Sequence, residues 1–120
     1  MRQLSTIFEQ FEMAVVPFPF VDAPRTKPRP ALILSVRAFN KQNGHTLLAM
    51  ITTAGRTRWP SDYALQDLRP TGLQVACVVR WKLFTLDNRA LQRRIGHLGE
   101  RDALGCRAAL ARILDGGQPH

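Results

Sequence analysis

Cysteine is nearly absent from this chain of 120 residues, which carries only Cys77 and Cys106. They stand far apart in apolar surroundings, which predicts buried free thiols in a reducing compartment, not a disulfide framework. Histidine is equally thin: His45, His97 and His120 are scattered. No Cys or Cys/His grouping has metal-ligand spacing, so neither a structural nor a catalytic zinc is expected, and no cofactor. Long apolar runs are missing too, which excludes a membrane-spanning helix. The opening "MRQLSTIFEQF" lacks the apolar stretch of a secretory signal, so a cytoplasmic protein with no membrane partner is expected. No repeat and no second domain is visible, which predicts one domain over residues 1–120.

Carboxylates are outnumbered, nine against seventeen lysines and arginines, for a formal net charge of +8. Most of the cations are arginines, whose planar fork grips phosphate or carboxylate in two places at once. The expected partner is polyanionic: nucleic acid, an acidic protein segment, or both.

The apolar pattern is that of short strands. In "MAVVPFPF", Val16, Phe18 and Phe20 share one face by alternation, while Pro17 and Pro19 fall on the other parity. Two missing N–H groups on one side predict an edge strand or a barrel corner. "PALILSV" and "TLLAMI" read as two further strands, with Asn43-Gly44 at the tip of a hairpin turn between them. "VACVVRW", "LFTLD" and "LQRRIGHL" read as three more, joined by tight connections. Helical periodicity occurs only in the tail, over about 100–114. Gly99 stands at its N-cap, Glu100 and Asp102 in its first turn, and Leu104, Ala108, Leu110, Ala111 and Leu114 near its packing face. The sum is a mainly β, partly open barrel over about 12–98 with a closing C-terminal helix.

Two connectors carry the chemistry. In "VDAPRTKPRPALILS", Pro28 and Pro30 restrict Arg29 to extended backbone, so its guanidinium projects from the barrel rim with little entropy left to lose. Arg25 and Lys27 add charge to the same connector. This suits a phosphate-gripping arginine, and equally a rigid turn with a solvated side chain. In "MITTAGRTRWPSD", Thr52 and Thr53 end a strand with hydroxyls on opposite faces. Arg56 and Arg58 can grip phosphates, and Trp59 is either a stacking platform for an unpaired base or an anchor for its own loop.

With "VVPFPFVD", "RPALILS", "MITTA" and "VVRWKLFTLD" in this order and spacing, the chain resembles the MazF/PemK toxins of toxin–antitoxin systems from about Met13 to His97. The resemblance implies an SH3-like barrel that forms a homodimer and a metal-independent, sequence-specific endoribonuclease cutting single-stranded RNA. It also implies an antitoxin whose acidic flexible tail covers the active site. The family's catalytic arginine falls on Arg29 and its catalytic threonine on Thr52. Arg25, Lys27, Thr53, Arg56, Arg58 and Trp59 surround them as candidate RNA contacts. Phe11-Glu12 stands where the family's first strand usually opens with Gly-Asp. Where some members carry an acidic residue in the first loop, this chain has Ala23, Pro24 and Arg25, with Asp22 as the nearest carboxylate.

A ribonuclease of this type uses the RNA's own 2′-OH as nucleophile and leaves a 2′,3′-cyclic phosphate and a 5′-OH. Arginine keeps its proton in proteins, so it suits charge stabilisation better than the role of base. His45 is the nearby side chain of a type that titrates near neutrality, and is otherwise a solvated turn residue. Two other functions fit the same barrel. A CcdB-like gyrase poison would have no use for the Arg-Pro and Thr-Thr pair, and a non-catalytic SH3-like binding module would hold RNA without shortening it.

Overall fold

The computed structural model describes residues 6–17, 27–55 and 57–115. Six antiparallel strands form one sheet: β1 (Glu12–Pro17), β2 (Pro28–Ile33), β3 (His45–Thr53), β4 (Tyr63–Ala64), β5 (Cys77–Asp87) and β6 (Arg93–His97). Their order across the sheet is β4-β5-β3-β2-β1-β6. Helix α1 (Arg37–Asn43) links β2 to β3, and α2 (Glu100–Asp115) follows β6. The fold is thus mainly β, a curled half-barrel with a C-terminal helix, as the strand pattern predicts. No helix among the described residues is long and apolar enough to cross a membrane.

Alternation gives each inner strand two buried faces. Met13, Leu32, Ala49 and Ile51 share a cluster with Val79, Trp81 and residues of α2. Ala14, Val16, Ala31, Ile33 and Leu48 point the other way, into a cluster closed by Phe8, Phe84 and Leu91. Both cysteines are buried and free. The open side of the barrel, between the edge strands, is approached by a 3-10 turn at Arg69–Thr71 that packs on β6. A Cβ at Gly96 would lie 2.3 Å from the Pro70 carbonyl oxygen, so the contact admits no larger residue.

Several elements differ from the sequence reading. β1 is not an edge strand: it pairs with β2 through Pro17 and with β6 only as far as Val15. Stopping the β6 ladder before Pro17 spares the proline a donor it lacks, so no edge position is needed. Phe18, Pro19 and Phe20 lie outside the described residues. Asn43-Gly44 does not form a two-residue hairpin; Asn43 ends α1, and Gly44 caps it at φ 69°, donating its N–H to the Asn40 carbonyl. A left-handed residue serves a helix C-cap as well as a tight turn, so the dipeptide alone does not choose between them. β2 and β3 are antiparallel neighbours all the same. "VACVVRW" and "LFTLD" are one strand, β5, kinked where its register with β3 jumps between Ala49 and Met50.

α2 begins where expected, with the Gly99 carbonyl accepting from the Ala103 N–H, but it buries a different face. Asp102, Cys106 and Ala109 are buried, whereas Leu104 and Leu114 are 60% and 67% exposed. Polar contacts set this rotation. The Asp102 carboxylate accepts from the Tyr63 hydroxyl at 2.8 Å and from the backbone N–H groups of Gln66 and Asp67 at 3.0 Å. Gly105 leaves room for the Tyr63 ring, whose hydroxyl would be 2.4 Å from a Cβ there.

Candidate active cleft

Arg29 and Thr52 are brought together by strand register. Ala31 faces Met50, Leu32 faces Ala49 and Ile33 faces Leu48. That ladder ends at Ala31 and Met50, and Arg29 and Thr52 each stand two residues beyond it, at the same end of the two strands. Both line a cleft of about 360 Å³ with Thr53, Thr57, Cys77 and Arg80. Pro28 and Pro30 flank Arg29 inside β2, where only the β1 ladder constrains that end of the strand. Arg29 is exposed and Thr52 partly buried, so the guanidinium stands at the mouth and the hydroxyl deeper. Arg29 has no ion-pair partner among the described residues, whereas Arg69, Arg80, Arg89 and Arg94 each have one.

The remaining candidates frame this cleft or leave it. Lys27 is exposed just before β2, and Thr53 is exposed at the end of β3. Arg58 and Trp59 line a second groove of about 260 Å³ that shares Thr57 with the cleft. Arg25, Asp22 and Arg56 lie outside the described residues. His45 is not part of the cleft. It opens β3, seven residues before Thr52, or about 23 Å at the rise of a strand, and lines a separate hollow with Lys41, Asp87 and Arg89.

Arg80, in the cleft, and Asp62, in the adjoining groove, are not marked by any motif in the sequence. Arg80 donates from Nε and Nη2 to the two carboxylate oxygens of Asp62 at 3.0 and 2.7 Å. Their side chains are only 7% and 12% exposed. The guanidinium holds the Asp62 carboxyl below the ordinary carboxylate range, against the opposing effect of burial. A charge in the apolar run "VACVVRW" was the available signal, since a buried arginine requires a partner. Burial pushes the Cys77 thiol up, so it stays protonated. Among the described residues no three His, Cys, Asp or Glu side chains are grouped to hold a metal ion.

The sequence of residues 9–114 matches the model of the PemK-like, MazF-like toxins of type II toxin–antitoxin systems. The chain belongs to that family. Among curated proteins none matches it in sequence. Solved structures share the fold at low identity. An endoribonuclease from a mycobacterial species superposes with a TM-score of 0.73 at 19% identity, over 98% of this chain and all 100% of the other. A MazF from Deinococcus radiodurans gives 0.71 at 20%, over 92% and 98%. A mycobacterial endoribonuclease in complex with its cognate antitoxin gives 0.71 at 18%, over 94% and 98%. In this toxin of the family, then, the Arg-Pro and Thr-Thr motifs meet at one cleft.

Proposed function

We propose that this toxin is a metal-independent endoribonuclease that cuts single-stranded RNA at specific sequences, with Arg29 and Thr52 as its catalytic pair. The observation that carries the reading is the cleft itself, lined by both Arg29 and Thr52, with a guanidinium that has no ion-pair partner among the described residues. The fold it shares with proteins described as endoribonucleases supports the same reading.

The reaction makes modest demands. The RNA 2′-OH gives up its proton and its oxygen attacks the adjacent phosphorus. The P–O5′ bond breaks, and the departing 5′ oxygen takes a proton, leaving a 2′,3′-cyclic phosphate and a 5′-OH. Arg29 grips the nonbridging oxygens, on which charge accumulates in the transition state. Thr52 donates to one of those oxygens or orients the 2′-OH. Lys27, Thr53 and Arg58, with Arg25 and Arg56, hold flanking phosphates and sugars, and Trp59 stacks on a base. Asp62 is spent on Arg80, and Cys77 stays protonated.

An acidic antitoxin segment competes for the same cations, as the antitoxin complex of the mycobacterial relative suggests, and the working unit is a homodimer. The test is incubation of the purified protein with a long unstructured RNA in EDTA, with end analysis of the products. Discrete cuts with cyclic phosphate ends are expected, reduced at least about 100-fold in Arg29→Ala and Thr52→Ala. Full activity in a folded Arg29→Ala protein would overturn the assignment.

A further inference from the structure

Arg80 is the only arginine buried among the described residues, 6% exposed on β5. Beyond its two bonds to Asp62, Nη1 donates to Thr57 Oγ1 at 2.8 Å and Nη2 to the Thr57 carbonyl at 3.1 Å. Its Cζ lies over the Trp59 ring, 5.4 Å from the centroid. Asp62 holds the same tryptophan by its backbone: the carboxylate accepts from the Trp59 N–H at 3.0 Å, and the Asp62 N–H donates to the Trp59 carbonyl at 3.0 Å.

Ring and backbone of Trp59 are therefore both referred to one guanidinium. That guanidinium is a poor phosphate ligand, because four of its five donors are spent on protein acceptors and a carboxylate balances its charge. Trp59 is 40% exposed, so it still has surface to offer a base, and its groove joins the Arg29/Thr52 cleft at Thr57. We propose that Arg80 is a positioning residue: it clamps the 57–62 segment and holds the Trp59 ring as the stacking platform for a nucleobase beside the scissile phosphate. The inference rests on the ribonuclease reading and deepens it. A platform fixed before the RNA arrives loses less entropy on binding than a loose one.

Arg80→Lys keeps the charge but cannot make the planar fork to Asp62 and Thr57. With the chain labelled with 5-fluorotryptophan, the Trp59 resonance in the free protein is expected to shift and narrow while that of Trp81 stays. Cleavage of a single-site RNA is expected to show KM raised about tenfold, the size of one lost stack, with kcat changed less than about threefold. In a Trp59→Ala background the same substitution should leave KM unaltered, because the platform it serves is gone. Asp62→Asn is read in the same way if Arg80→Lys does not fold. An Arg80→Lys enzyme with native KM, or one whose KM rises as much without Trp59, overturns the inference and leaves the ribonuclease standing. An unaltered protein that cleaves no RNA overturns the ribonuclease reading, and the platform role with it.

Discussion

Phe11 adopts φ 68°, the only positive φ of a non-glycine among the described residues. This left-handed backbone costs an ordinary residue roughly 1–2 kcal/mol, which explains why glycine suits the start of the family's first strand. Here the side chain offsets the strain. Phe11 is 7% exposed in the main core, with the Arg107 guanidinium over its ring at 4.9 Å. Its N–H donates to the Ile33 carbonyl and its carbonyl accepts from Leu98, so the bend joins β2 to the end of β6. Phe11→Ala is expected to cost about 3–4 kcal/mol in urea unfolding, the usual loss for a buried phenylalanine. Phe11→Gly should be no worse than alanine, and up to about 1 kcal/mol better, because glycine accepts the backbone that alanine resists. An alanine variant clearly more stable than the glycine one would show that the left-handed conformation is not strained.

At the scale of elements, α2 is held by a buried carboxylate as much as by apolar packing. Burial and the hydrogen bond to Asp102 push the Tyr63 hydroxyl up to about 12. Burial, with Asp102 nearby, pushes the Cys106 thiol to about 12 as well. Both groups are held protonated in the fold, so stability is full below their unfolded values and falls as pH rises past them. Unfolded cysteine begins to ionise near pH 8.5 and tyrosine near 10. Denaturant midpoints should therefore fall from about pH 9 to about 12, the upper limit set by the folded groups. Tyr63→Phe should flatten the part of the decline above pH 10, and Cys106→Ala its beginning. An unchanged pH profile in both variants would mean that α2 is not anchored through these groups. Leucines mark a helix stripe more visibly than an aspartate does, so the sequence pattern points to a face of α2 on which Leu110 packs against the core but Leu104 and Leu114 are exposed. Asp102 has its donors in β4 and the loop after it, more than thirty residues upstream, and no local pattern announces such a partner.

For the whole molecule, the charge of +8 bears on binding more than on folding. Four arginines spend their charge on carboxylates, while Arg29 lines the cleft, Arg58 lines its adjoining groove, and Lys27 is exposed just before β2. With Arg25 and Arg56 included, three to five phosphate contacts on single-stranded RNA predict a slope of log K against log salt between about −2 and −3.5. Measured on Thr52→Ala, so that the RNA survives, Arg58→Ala should weaken binding to all sequences and reduce the slope by about 0.7. Binding indifferent to salt would show that the basic surface serves something other than RNA.

Local chemistry is legible along the chain: strands where apolar residues alternate, a helix from Glu100 onward, and an arginine stiffened between Pro28 and Pro30. The sequence also supplied a family resemblance through motifs short enough to be read without the fold. Tertiary contacts settle which strands are neighbours, and hence that Arg29 and Thr52 line one cleft. Strand register depends on how two buried faces fill at once, and β1 can lie one strand in from the edge because its ladder with β6 stops before Pro17. Tertiary structure also decided whether Asn43-Gly44 turns a hairpin or caps a helix, and it set His45 far from the cleft. It paired Arg80 with Asp62, eighteen residues apart. A buried ion pair is a relation between two distant residues, and the sequence carries each of them without the distance between them.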